Sequence, residues 1–134
     1  MKMDVYFPGG KRVYADYKDF TIETDQPVMA GGDDSAPAPF DLFLASIGTC
    51  AGIFVLSFMQ ERNIPTDDAR ISVDWEYDRE KRLITKFVMD VHLPPDFPEQ
   101  YRAAVVRAAE LCTVKRHLHE PPEFEINTVI ADRA

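Results

Sequence analysis

The chain has 134 residues, 46% of them hydrophobic, and a formal net charge of −8 at pH 7. That length supports one domain with a single core. The acidic balance argues against nucleic acid and against anionic lipid surfaces, both of which call for basic patches. The N-terminal MKMDVYFPGG lacks an apolar core and a small-residue cleavage site, so it is read as no export signal and the expected compartment is cytoplasmic. Two cysteines in a reducing compartment point to catalysis, redox activity or inert packing before they point to a structural staple.

In chain order, MDVYFP, KRVYADY and FTIETD read as short strands within residues 1–28, with turns at Gly9-Gly10 and near Lys18-Asp19. Glycine, acids and prolines crowd the linker-like loop 29–40. A long apolar helix is expected over 41–62, uncharged from Leu42 to Met59. Ile71, Val73, Trp75 and Tyr77, then Leu83, Thr85, Phe87, Met89, Val91 and Leu93, alternate at period two and predict a long hairpin over 70–94. A second helical region follows over 97–119, with Tyr101, Val105, Ala108, Leu111 and Cys112 on one stripe. FEINTVIAD predicts a last strand over 123–132. Strands, helix, hairpin, helix and strand in that order define an α+β domain with antiparallel sheet.

The apolar run is about as long as the shortest bilayer span. Gly48 and Gly52 interrupt it, its flanks lack a Lys/Arg bias, and the rest of the chain reads as a globule, so no membrane is expected. A helix apolar on all sides is one surrounded by protein. So small a domain covers every side with difficulty, which predicts a buried central helix and a homodimer.

Cys50 and Cys112 each have a bland reading as small core residues. Cys50 has no charged neighbour within eight residues, so desolvation is expected to raise its pKa. Lys115 and Arg116 follow Cys112 closely and are expected to favour its thiolate, as would a helix beginning there. An apolar helix with a central cysteine (PFDLFLASIGTCAG), a long hairpin and a second helix ending in AAELCTVKRHL together resemble the OsmC/Ohr family over nearly the whole chain. The resemblance implies an intertwined homodimer with antiparallel sheets around long central helices and two sites at the subunit interface. It further implies thiol-dependent reduction of organic hydroperoxides, without metal or organic cofactor. Cys50 would be the peroxidatic residue, oxidised to a sulfenic acid, and Cys112 would resolve it as a disulfide that an external dithiol reduces.

In the family, an arginine from the N-terminal strands activates the peroxidatic cysteine and is held by an acidic residue before the helix. Arg12 is the only arginine in the first sixty residues and is the candidate; its alternative is a solvated hairpin charge. Asp41 is the candidate acid, although the family usually has Glu, often one position earlier, where Phe40 stands. Along a straight helix Asp41 lies about 13 Å from Cys50, so it either caps the helix or anchors Arg12. The family often has proline after its second cysteine, where this chain has Thr113.

Other chemistries find little support. His117, His119, Cys112 and Glu120 hint at a metal, but no CxxC or HExxH accompanies them. There is no phosphate-binding glycine loop and no G-x-S-x-G elbow. The competing function is a non-catalytic dimer that binds an apolar small molecule, with redox-sensing or structural cysteines.

Overall fold

A computed structural model of the chain describes residues 2–131. It is mixed α+β, with antiparallel sheet and one long helix. It divides into two compact units. One holds the N-terminal sheet, the helix as far as Thr49 and Val73–Met89; the other holds Cys50–Ser72 and the chain from Asp90 onward.

In the first unit, β1 (Asp4–Gly9), β2 (Arg12–Tyr17) and β3 (Phe20–Thr24) form an antiparallel meander. Gly9 pairs with Arg12 and Tyr17 with Phe20, so each turn holds two residues, and Gly10 (φ 58°) and Lys18 (φ 54°) supply the left-handed backbone such hairpins need. The loop that follows is linker-like only in composition. Asp25, 1% exposed, gathers it by accepting from Ser35 Oγ (2.6 Å), Ser35 N–H (3.0 Å), Gln26 N–H (2.7 Å) and Asp33 N–H (3.3 Å). Those bonds hold its carboxyl well below the usual carboxylate range, against the opposing effect of burial. Gly32 lies against this turn so closely that a Cβ there would meet Gln26 O at 2.0 Å.

The long helix, α1, spans Pro39–Glu61, starting two residues before the expected position. Pro39 suits the first helical position, where its missing N–H costs nothing. Asp41, two residues inside, accepts the Ala38 N–H at 3.0 Å, which is the acidic half of a capping box. At the other end Asn63 (φ 54°) turns the chain out and Ile64 N–H closes on Met59 O at 2.9 Å. Arg62 lays its guanidinium over the Phe58 ring, 3.6 Å from the centroid, with the Tyr101 ring at 5.4 Å.

By length and composition α1 is long and apolar enough to cross a membrane. Its buried residues are Ile47, Ala51, Val55, Phe58 and Met59, a single stripe at helical spacing. Phe40 and Ile53 are more than half exposed, so the described residues leave part of the helix uncovered.

Strands β4 (Arg70–Asp78) and β5 (Leu83–His92) pair as the expected hairpin. Asp78 ties its turn by accepting from Glu80 and Lys81 N–H. In the first unit, Phe87 meets Trp75 and Phe43 edge-on, and Phe43 stacks on Phe40. Gly48 permits the approach of β4, since a Cβ there would stand 3.1 Å from Val73 Cγ2.

The second helical region is two helices, α2 (Arg102–Ala109) and α3 (Thr113–His119), preceded by a 3-10 turn over Glu99–Tyr101. Cys112 does not extend the stripe of α2: its backbone is extended (φ −52°, ψ 121°) and it caps α3, while Leu111 is exposed. The strand expected over 123–132 does not form across 123–131; residue 132 lies outside the described residues. Phe124, Ile126, Val129 and Ile130 are there 84–93% exposed. A strand needs a neighbour for its backbone bonds, and among the described residues the segment has none.

Candidate active site

Two distant stretches bring the cysteines together. Cys50 occupies the middle of α1, and Cys112 stands at the start of α3; both are free and lie in the second unit. Each thiol influences the ionisation of the other.

The start of α3 explains the electrostatics. A helix leaves its first backbone donors without intrahelical acceptors. Here Arg116 N–H, the first inside the ladder, reaches Cys112 O at 3.1 Å. Lys115 N–H turns to Cys112 Sγ at 3.4 Å. The N–H groups of Val114 and Thr113 and the Thr113 hydroxyl favour the charged form of Cys50. Both sulfurs thus feel the donors of one helix terminus.

Their acidities diverge as a result. Burial pushes Cys50 up, but the hydrogen bonds from Val114 N–H, the Cys112 thiol and Thr113 outweigh it, and its pKa lies below the ordinary thiol value. Cys112 is 1% exposed, and burial pushes it up. Lys115 N–H opposes that rise, while the hydrogen bond to Cys50 and the charge there reinforce it. The sequence expectation is therefore reversed: Cys50, not Cys112, is the more acidic thiol. Lys115 acts on Cys112 through its backbone N–H, and the donors that matter to Cys50 come from the far end of the chain.

Arg12 and Asp41 belong to the first unit. The Arg12 guanidinium donates to Asp33 Oδ2 at 3.0 Å and, through Nε, to Ser35 Oγ at 3.2 Å. Asp25 holds both the Asp33 backbone and Ser35, so the arginine is fastened to a braced loop. The Asp41 carboxylate serves the start of α1. Sequence reasoning passed over Asp25, Ser35 and the Thr113–Val114 pair. For Thr113 one signal existed, a hydroxyl residue directly after a cysteine at a helix start. Among the described residues no three His, Cys, Asp or Glu side chains gather as metal ligands, and His117 Nδ1 is instead 2.8 Å from Thr113 O.

No protein of curated function matches the sequence. Among solved structures, a protein from Psychrobacter arcticus 273-4 described by osmotic stress and detoxification response is 19% identical, with 87% of this chain and 86% of that chain aligned at a TM-score of 0.71. The organic hydroperoxide resistance protein OsmC from Legionella pneumophila is 18% identical over 87% of each chain, with a TM-score of 0.56. An OsmC-like hydroperoxide resistance protein from Jannaschia sp. CCS1 is 19% identical over 98% of this chain and 92% of that one, at 0.55. At such identities the likeness is one of fold. The sequence model of the OsmC-like proteins, however, matches residues 32–127, a stretch containing both cysteines. The chain belongs to the OsmC-like family.

Proposed function

We propose that the protein is a thiol-dependent peroxidase acting on organic hydroperoxides, the activity that the names of its Legionella and Jannaschia structural relatives point to. The observation that carries this reading is the pairing of an acidified Cys50 with a buried Cys112. The Cys50 thiolate attacks the terminal peroxide oxygen, the O–O bond breaks, and the alkoxide leaves as an alcohol after taking a proton. Cys50 becomes a sulfenic acid. The Cys112 sulfur then displaces its hydroxyl as water, forming a Cys50–Cys112 disulfide. An external dithiol reduces that bond and is itself oxidised. Sulfur alone carries the chemistry, so neither metal nor organic cofactor is required.

Arg12 is proposed as the cation that favours the thiolate and the developing oxyanion, with Asp41 as its supporting acid. In the structure Arg12 is held by Asp33 and Ser35, and Asp41 caps α1. A cytoplasmic homodimer is part of this reading. The exposed apolar residues of α1 and of 124–130 are the surface a second copy would cover.

The test counts free thiols before and after one equivalent of cumene hydroperoxide, in wild type, Cys50→Ser and Cys112→Ser. Rapid loss of both thiols in wild type and a trapped sulfenic acid in Cys112→Ser are expected. Loss only over hours, or undiminished reactivity in Cys50→Ser, sinks the peroxidase and favours a non-catalytic binder of apolar molecules.

A further inference from the structure

The arginine proposed for Cys50 is anchored by a loop whose composition promises no rigidity. Arg12 begins β2, and Thr24, the last residue of β3, pairs with Val13. One step further along that register, Asp25 leaves the sheet opposite Arg12. The 33–35 loop joins the two side chains.

Arg12 Nη2 donates to Asp33 Oδ2 at 3.0 Å and Nε to Ser35 Oγ at 3.2 Å. The Asp33 carboxylate is largely exposed, and an exposed ion pair by itself fixes little. The serine is held more firmly. An ionised carboxylate only accepts, so the single hydroxyl proton of Ser35 goes to Asp25 Oδ2, 2.6 Å away. The lone pairs of the same oxygen are then turned to the Arg12 Nε–H. Asp25 also accepts the backbone N–H of Asp33 and of Ser35, and its own N–H donates to Pro37 O at 3.2 Å. One buried carboxylate thus fixes both residues that grip the guanidinium. Among the described residues, Arg12 uses two of its five N–H donors on this loop, and three remain for an anion.

We propose that Asp25 is a positioning residue: acting through Ser35 and the Asp33 backbone, it holds Arg12 in place for the reacting sulfur. The proposal rests on the reading that Arg12 serves Cys50. Loss of the Ser35 hydroxyl then loosens the guanidinium without removing its charge.

The experiment follows the pH dependence of Cys50 alkylation by iodoacetamide, in a Cys112→Ser background. Arg12→Gln is expected to raise the apparent pKa. Asp25→Asn should shift it the same way, and Ser35→Ala, at an exposed position, tests the same link should that variant fail to fold. Ser35→Ala should lower the thiolate fraction at pH 7 by about two- to tenfold. Ser35→Thr, which keeps the hydroxyl, should restore the parent titration. In an Arg12→Gln background Ser35→Ala should add nothing, because no guanidinium is left to place. A merely structural serine would lower the melting temperature and leave the titration alone. A shift in Arg12→Gln without one in Ser35→Ala overturns the positioning role, as does a Ser35→Ala shift that survives Arg12→Gln. An unchanged titration in Arg12→Gln overturns the reading of Arg12 itself, and the positioning role with it.

Discussion

Cys50 owes its acidity to groups far along the chain, and that makes its titration the most direct probe of the site. Because its folded pKa is lowered, its thiolate fraction at any given pH exceeds that of a free thiol. Its alkylation rate should rise with pH about a midpoint below that of an ordinary thiol. The Cys112 thiol is one of the donors to Cys50, so Cys112→Ala should raise the Cys50 pKa, whereas Cys112→Ser, which keeps a donor, should raise it less. Equal titrations in the two variants would remove Cys112 from the account. Asp25 gives a second pH dependence, of opposite consequence. Its pKa is depressed on folding, so it stabilises the fold above the unfolded value of about 3.9 and that contribution is lost as pH falls below it. Thermal melts between pH 7 and pH 2 should show a loss of stability on acidification that is reduced in Asp25→Asn. The cysteines themselves were legible as a pair from spacing and context. Their order of acidity was not, since local charges point to Cys112 and only folding brings α3 to Cys50.

At the scale of elements, sequence patterns located the helix and the hairpins and misjudged their joints. Pro39 opens α1 because proline suits a first turn, and Asp41 caps from inside it. The 29–40 segment has a linker's composition, yet one buried carboxylate outside it, Asp25, makes the turn a built object. Gly32→Ala should cost about 1–3 kcal/mol in denaturant unfolding, because its Cβ would press on the Gln26 carbonyl rather than on a movable side chain. Met59→Ala, at a fully buried site on the inward stripe of α1, should cost about 2–5 kcal/mol by the same measurement. Were the proposed disulfide to form, Cys112 Sγ would become a poorer acceptor and the Lys115 N–H would lose its partner. Amide exchange at Lys115 should therefore quicken several-fold in the oxidised protein. Equal exchange in both forms would mean that the sulfurs do not hold this terminus.

For the whole molecule, residues 123–131 are the telling departure from expectation. Alternating Phe124 and Ile126, followed by Val129 and Ile130, form a strand pattern that pairs with no strand among the described residues. Light scattering of the reduced protein should give twice the chain mass, and removal of the residues from 123 onward should shift it toward the monomer. A full-length monomer, stable at micromolar concentration, would end the dimer reading. The sequence by itself determined the α+β class, the long apolar helix, the hairpins and the family. Period-two and helical patterns record which face an element buries, and both cysteines lie within the matched stretch. Tertiary structure decided which sulfur is the stronger acid and that Asp25 braces the loop holding Arg12. A pKa is set by burial and by donors close in space, and neither can be read from neighbours along the chain.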